Sequence, residues 1–184
     1  MSSITSGWLN QCVDGTCAGG IGKLYIANAN QVTSITTNAT AAVTAITMSS
    51  TASVFYEVEF RDNSGAFTET VTQDPDTLSV AIEQNLVGII NCRDQELRNL
   101  IQDMANQACG LVCVHVENTG NYWIWGAETV GAKKRPARLT SSEGLSGALF
   151  TDSNQETLTI SCRTTNKARF IVDGATVMGC SSAK

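Results

Sequence analysis

Between Asp76 and Gly126 the spacing of apolar residues changes twice, and few folds accommodate both changes. In TLSVAIEQNLVGII, Leu78, Val80, Ile82 and Leu86 share one parity while Ser79, Ala81, Glu83 and Asn85 share the other, as a half-buried strand requires. From Arg93 to Ala108 the period becomes helical: Leu97, Leu100, Ile101 and Met104 form a stripe that Ala105 and Ala108 continue. Asn91 is placed to cap the start, Asp94 and Glu96 lie where the helix dipole favours acids, and Gly110 follows the end. Next comes GLVCVHVENTGNYWIWG, two runs rich in Val and aromatic residues around Asn118-Thr119-Gly120-Asn121, which predicts a β-hairpin. Burial of the four large helix side chains is worth about 6 to 12 kcal/mol gross, enough to fix one helix against a sheet.

The rest of the chain predicts mainly strands. Thr, Val, Ser, Ala and Gly are abundant and only 2 Pro occur, which suits a mainly β, single-domain protein. Residues 1–21 read as an N-terminal arm, 22–172 as one domain with its helix at about 93–108, and 173–184 as a C-terminal tail. GKLYIANA predicts a strand, and NQVTSITTNATAAVTAITM a flexible connection into a strand near Val43 to Met48. SVFYEVEFRD alternates strictly, and with the turn DNSG and the run AFTETVTQ it predicts a long hairpin that Asp74-Pro75-Asp76 ends. Residues 127–153 carry few strand signals and predict a long loop. ETLTISCR and ARFIV then predict a closing pair of strands.

Charge and composition exclude several classes. A net charge of -5 argues against a sequence-independent grip on nucleic acid. No apolar run is long enough for a membrane-spanning helix, and the first positive charge is Lys23, so synthesis in the cytosol is expected. The 7 Cys (Cys12, Cys17, Cys92, Cys109, Cys113, Cys162, Cys180) form no CxxC pair and His115 is the only His, so no metal site or cofactor is expected and the thiols read as mostly free and partly buried. No GxSxG elbow or Cys-His pairing marks a nucleophile, so no catalytic residues are assigned. Glu57 and Glu59 read as an exposed strand face rather than a glycosidase pair. His115, opposite in parity to Val114 and Val116, is expected to face solvent or an interface. Trp123 and Trp125 are expected, with Leu97, Leu100, Ile101 and Met104, to be packing or interface anchors.

FYEVEFRDNSGAFTETV, a strand and helix, NYWIWGAE, a loop and TLTISC appear in the succession found in the major tail tube proteins of tailed bacteriophages, which the chain resembles over roughly residues 22 to 165. The resemblance implies a mainly β, tail-tube-like β-sandwich or partial barrel with one flanking helix, a long hairpin and extended loops. It also implies a structural virion protein whose homohexameric rings stack into a hollow tube for genome ejection. Implied partners are further copies of itself, the tail terminator, baseplate or tip and tape-measure proteins, and DNA passing through without specific binding. The implied setting is the virion tail, assembled in the bacterial cytoplasm. Unpaired strand edges supply a physical reason for assembly, because ring closure satisfies them. On this reading Glu57, Glu59, Glu69 and Glu83 are expected to form an acidic inner wall that resists sticking of DNA. The cluster Lys133, Lys134, Arg135 and Arg138 is expected to form a loop reaching the acidic surface of the next ring. Alternatives are a tail terminator, a head-tail connector or a capsid decoration protein, and more remotely a carbohydrate-binding module or lytic enzyme that uses the Trp pair.

Overall fold

The computed structural model describes residues 19–174 except 52, 92, 131 and 150, so the predicted arm and tail lie almost wholly outside the described residues. The chain is mainly β. Its elements are β1 (Ile21–Asn28), β2 (Val32–Thr37), β3 (Val43–Met48), β4 (Tyr56–Glu59), β5 (Ala66–Gln73), β6 (Val80–Asn91), α1 (Gln95–Asn106), β7 (Leu111–Glu117), β8 (Tyr122–Trp125), β9 (Glu128–Val130), β10 (Lys133–Arg135), β11 (Arg138–Leu145), β12 (Gln155–Thr164) and β13 (Arg169–Ile171). A large sheet runs β2-β3-β13-β8-β7-β1-β4, a small sheet runs β11-β12-β6-β5, and β9 and β10 form a separate ribbon.

The two sheets share a core. Leu24, Ile26, Val58, Cys113 and Trp125 of the large sheet meet Leu86, Leu158, Ile160 and Cys162 of the small one. A second cluster lies on the other face of the large sheet, where Tyr25, Val112, Val114, Ile124 and Ile171 pack with Val32, Val43 and Phe55. β7 is therefore buried on both faces over Leu111 to His115. This overturns the outward placement of His115, because the side opposite Val114 is the shared core. The turn at 118–121, the β7–β8 hairpin and β3 fall where the sequence predicts them.

Other expectations need correcting. The run 53–73 is not a hairpin: β4 pairs with β1 in the large sheet and β5 with β6 in the small one, so residues 60–65 cross between sheets. The long hairpin is β5–β6 instead. Leu78, placed on the buried parity of a strand, sits in its connecting turn, 70% exposed and with φ of 55°. The connection before Val43 contains β2, which pairs antiparallel with β3. Residues 127–153 hold β9, β10 and the eight-residue β11 rather than a loop. β11 was illegible because it is an edge strand with only two half-buried positions, so no apolar alternation marks it. β12 and β13 do not pair with each other; they are interior strands of different sheets.

The helix is shorter than predicted. β6 continues to Asn91, which pairs with Gln155, so Asn91 is committed to a ladder and cannot cap. Asp94 does so instead, its carboxylate accepting from the Leu97 N–H at 2.7 Å. Of the predicted stripe only Met104 is fully buried; Leu97, Leu100 and Ile101 are half-buried, and Ala105 and Ala108 are exposed. The helix thus contributes less than full burial of four side chains would give.

Gly126 closes the β7–β8 unit against the start of β11. Its φ is +75°, and a Cβ there would lie 2.8 Å from both the Ala137 nitrogen and the Leu111 oxygen, two atoms that pair through the Leu111–Ala137 bridge. Gly126→Ala is expected to destabilise the fold by about 2 to 4 kcal/mol, combining left-handed backbone strain with a clash that backbone atoms cannot easily relieve. Urea unfolding of the variant measures it.

Candidate functional site

The small sheet is open at both edges among the described residues, as the large sheet is at β2 and β4. β11, β12, β6 and β5 are antiparallel in succession, and among the described residues neither β11 nor β5 has a strand on its outer side. Its inner face carries Leu86, Leu158, Ile160 and Cys162 into the shared core. Its outer face, read from the register, carries two polar rows, Thr70, Glu83 and Arg163 in one and Thr68, Asn85, Ser161 and Arg138 in the next, and further along β6 it includes Val87 and Ile89. Neither hydrophobic cluster contains a residue of these rows.

The β5–β6 hairpin runs on past the end of β12, whose last paired residue, Thr164, faces Ile82. Residues 71–80 are exposed throughout. Val71 and Val80 continue the inward-facing parity beyond the body, and with Leu78 they display an apolar surface on the projecting tip. Asp74 shapes the turn, accepting from the Asp76 and Thr77 N–H groups. Those two donors hold its carboxyl below the usual carboxylate range, so the tip remains charged.

The four glutamates predicted to line one wall do not share a face. Glu57 and Glu59 flank Lys23 at 2.6 and 3.3 Å on the side of the large sheet that turns away from the small one. The hydrogen bond from Lys23 holds Glu57 below its ordinary value and raises Lys23. Glu69 pairs with Gln84 across the inner face of the small sheet, where its Oε1 accepts from Gln84 Nε2 at 2.9 Å and from the Ala168 N–H at 2.7 Å. Only Glu83 stands on the outer face, 3.4 Å from Arg163. The single acidic wall is thereby corrected.

The basic cluster also sits differently. It forms β10 and the beginning of β11, not a free loop. Lys134 is folded back, its ammonium donating to the Ala29 and Val32 carbonyls at 3.2 and 3.3 Å. Arg138 donates to the Ala108 carbonyl at 3.1 Å. Lys133 and Arg135 are exposed on the ribbon, opposite Val130 and Glu128. Arg163, which the sequence reading passed over, joins Lys134, Arg135 and Arg138 around one open trough. The signal was present: Leu158, Ile160 and Cys162 mark the inward parity, which turns Arg163 outward.

The aromatic anchors pack. Trp125 is in the shared core with its ring centroid 5.3 Å from Phe67, and Trp123 lies edge-on to Phe170 at 5.5 Å. His115 is 2% exposed and stacks 4.2 Å from Phe67. Its Nδ1 has no hydrogen-bond partner, and burial lowers its pKa to about 3, so the ring is neutral. Of the described cysteines, Cys113 and Cys162 are buried thiols and Cys109 is an exposed one. Burial pushes Cys162 up to about 11 and raises Cys113 further, so neither is a nucleophile at neutral pH. Among the described residues no group of three potential metal ligands is present, and no helix is long and apolar enough to cross a membrane.

Compared with known protein families, curated proteins and solved structures, the chain matches none.

Proposed function

We propose that this chain is a structural, self-assembling subunit whose copies join side by side into rings and stack into a hollow tube, the phage tail tube that the sequence resembles. The observation that carries this reading is the small sheet: four antiparallel strands with both edges unpaired among the described residues and a largely polar outer face. Because the strand count is even and all neighbours are antiparallel, β5 and β11 run in opposite directions. A rotated copy can therefore set its β11 beside β5 and continue the same ladder, and closure of the ring removes both edges of the small sheet. Six copies, the number the resemblance implies, would contribute about 24 strands. Spaced about 4.8 Å apart and tilted about 40°, they close at a backbone diameter of about 48 Å, leaving an aqueous channel where eight strands would leave none.

The projecting hairpin supplies a second kind of contact. Val71, Leu78 and Val80 are apolar and exposed at its tip, which suits a head-to-tail contact with the next ring and growth of a filament. The polar outer face suits the channel wall, and DNA is the polymer that would pass it. Tail terminator, tip and tape-measure proteins are the further partners this role entails. Negative-stain imaging of the purified chain tests the reading. Stacked rings with a central hole are the expected result. Single rings that never stack would favour a terminator or connector, and monomers at every concentration and salt would overturn it.

A further inference from the structure

The trough on the outer face of the small sheet is the most charged concavity among the described residues that the assembly reading leaves unused. Lys134, Arg135, Arg138 and Arg163 line it, against the lone carboxylate of Glu83. In a chain of net charge -5 this is a local reversal of sign. Among the described residues only Arg163 of the four cations has a carboxylate within ion-pair distance, at 3.4 Å. Arg138 and Lys134 are steered by backbone carbonyls, which fix their position without neutralising them. Between them the floor presents Asn85 and the hydroxyl of Ser161. No aromatic side chain lines the trough.

We propose that this trough is a weak, sequence-independent contact site for the phosphate backbone of duplex DNA. Guanidinium groups beside hydroxyl and amide side chains are the set that contacts phosphate oxygens and sugars, whereas stacking on bases needs aromatic faces that are missing here. Two of the cations stand on strands of the small sheet and two on the three-residue strand β10 beside it, and among the described residues no helix lines the trough, so the set is placed for phosphates rather than for base edges. The net negative charge of the chain keeps the contact weak and short-ranged, since repulsion from the remaining surface is screened beyond about 8 Å at physiological salt while the trough acts at contact. For its biological setting the proposal rests on the reading of the small sheet as a channel wall. There, each copy would add one such contact, and the wall would guide a moving duplex electrostatically instead of repelling it throughout.

Fluorescence anisotropy of a short labelled DNA duplex, titrated with the purified chain over a range of salt, tests the site. About three phosphate contacts are expected, so affinity should fall about 40-fold between about 50 and 200 mM salt. In Arg135→Gln/Arg163→Gln, whose two positions are exposed, the same change of salt should cost only about 3- to 4-fold. Lys167→Gln, at a position that does not line the trough, should behave like the parent. Absence of binding at low salt, or equal losses in the double variant and the Lys167 control, overturns the proposal. So does displacement of the DNA by polyglutamate at equal charge concentration, which would assign the trough to an acidic protein. Imaging the same samples separates the two readings. DNA binding by a chain that forms no rings keeps this site and removes the tube, and rings without DNA binding do the reverse.

Discussion

A chain carrying Thr68→Lys and Thr70→Lys is expected to form no rings under conditions where the parent assembles, while unfolding within about 5 °C of it. Both threonines are exposed on β5, the outermost strand of the small sheet. Lysine on an edge strand is a common block to strand addition, and two added lysines per copy would crowd like charge around the closed ring. Inside the monomer the cost is small. The two positions pair with Asn85 and Glu83, and neither belongs to a hydrophobic cluster; the loss of β propensity is below about 1 kcal/mol per site. Analytical ultracentrifugation with thermal melts reads both quantities. Undiminished rings in a folded double variant would mean that β5 is not the joining edge, and the barrel closure proposed for the small sheet would fall with it. A matched pair at exposed positions of β2, such as Thr33→Lys and Ser34→Lys, should leave assembly intact, because that edge belongs to the large sheet.

How much of this surface the sequence reveals depends on what buries each strand. Where one face is packed and the other wet, alternation is legible: Ile82, Leu86, Leu158, Ile160 and Cys162 all lie inward, and the β7–β8 hairpin and β3 fall where predicted. Two situations defeat the pattern. β7 is buried on both sides, so the alternation of His115 with Val114 and Val116 separates two cores rather than core from solvent. β11 is an edge with little buried on either side, so ARLTSSEGL reads as a loop. Pairing is harder still, because period two reports faces and not neighbours. The run 53–73 alternates as a hairpin would, yet Gly65 bridges to Ile21 and sends β5 into the other sheet. The four glutamates part for the same reason: parity within a strand does not say which sheet holds it. The basic trough was hidden because its fourth cation, Arg163, lies in a different strand, 25 residues beyond Arg138 in sequence and beside it in space.

His115 carries the second large effect, on stability. Its pKa is about 3 in the folded chain because burial disfavours the charged ring, against 6.5 for an unperturbed imidazole. For a base whose folded value is depressed, stability is complete above the unfolded pKa. Below it the unfolded chain takes up a proton that the folded chain refuses, so stability falls as pH drops from about 6.5 towards about 3, by about 1.4 kcal/mol per unit. The parent is therefore expected to lose about 2 kcal/mol between pH 7 and pH 5. That interval isolates the effect. His115 is the only histidine, and the depressed carboxyl of Glu57, which stabilises above its unfolded value of 4.5, begins to lose its contribution only at lower pH. His115→Leu removes both the titration and the unpartnered Nδ1 while keeping contact with Phe67. It should be as stable as the parent at pH 7, or more stable, and show almost no change down to pH 5. His115→Gln keeps a polar side chain that cannot titrate, and should be equally flat. Urea unfolding of the three proteins at both pH values decides the matter. An equal loss in all three would place the titrating group elsewhere, and a parent that loses nothing would mean that His115 finds a partner for its proton inside the core.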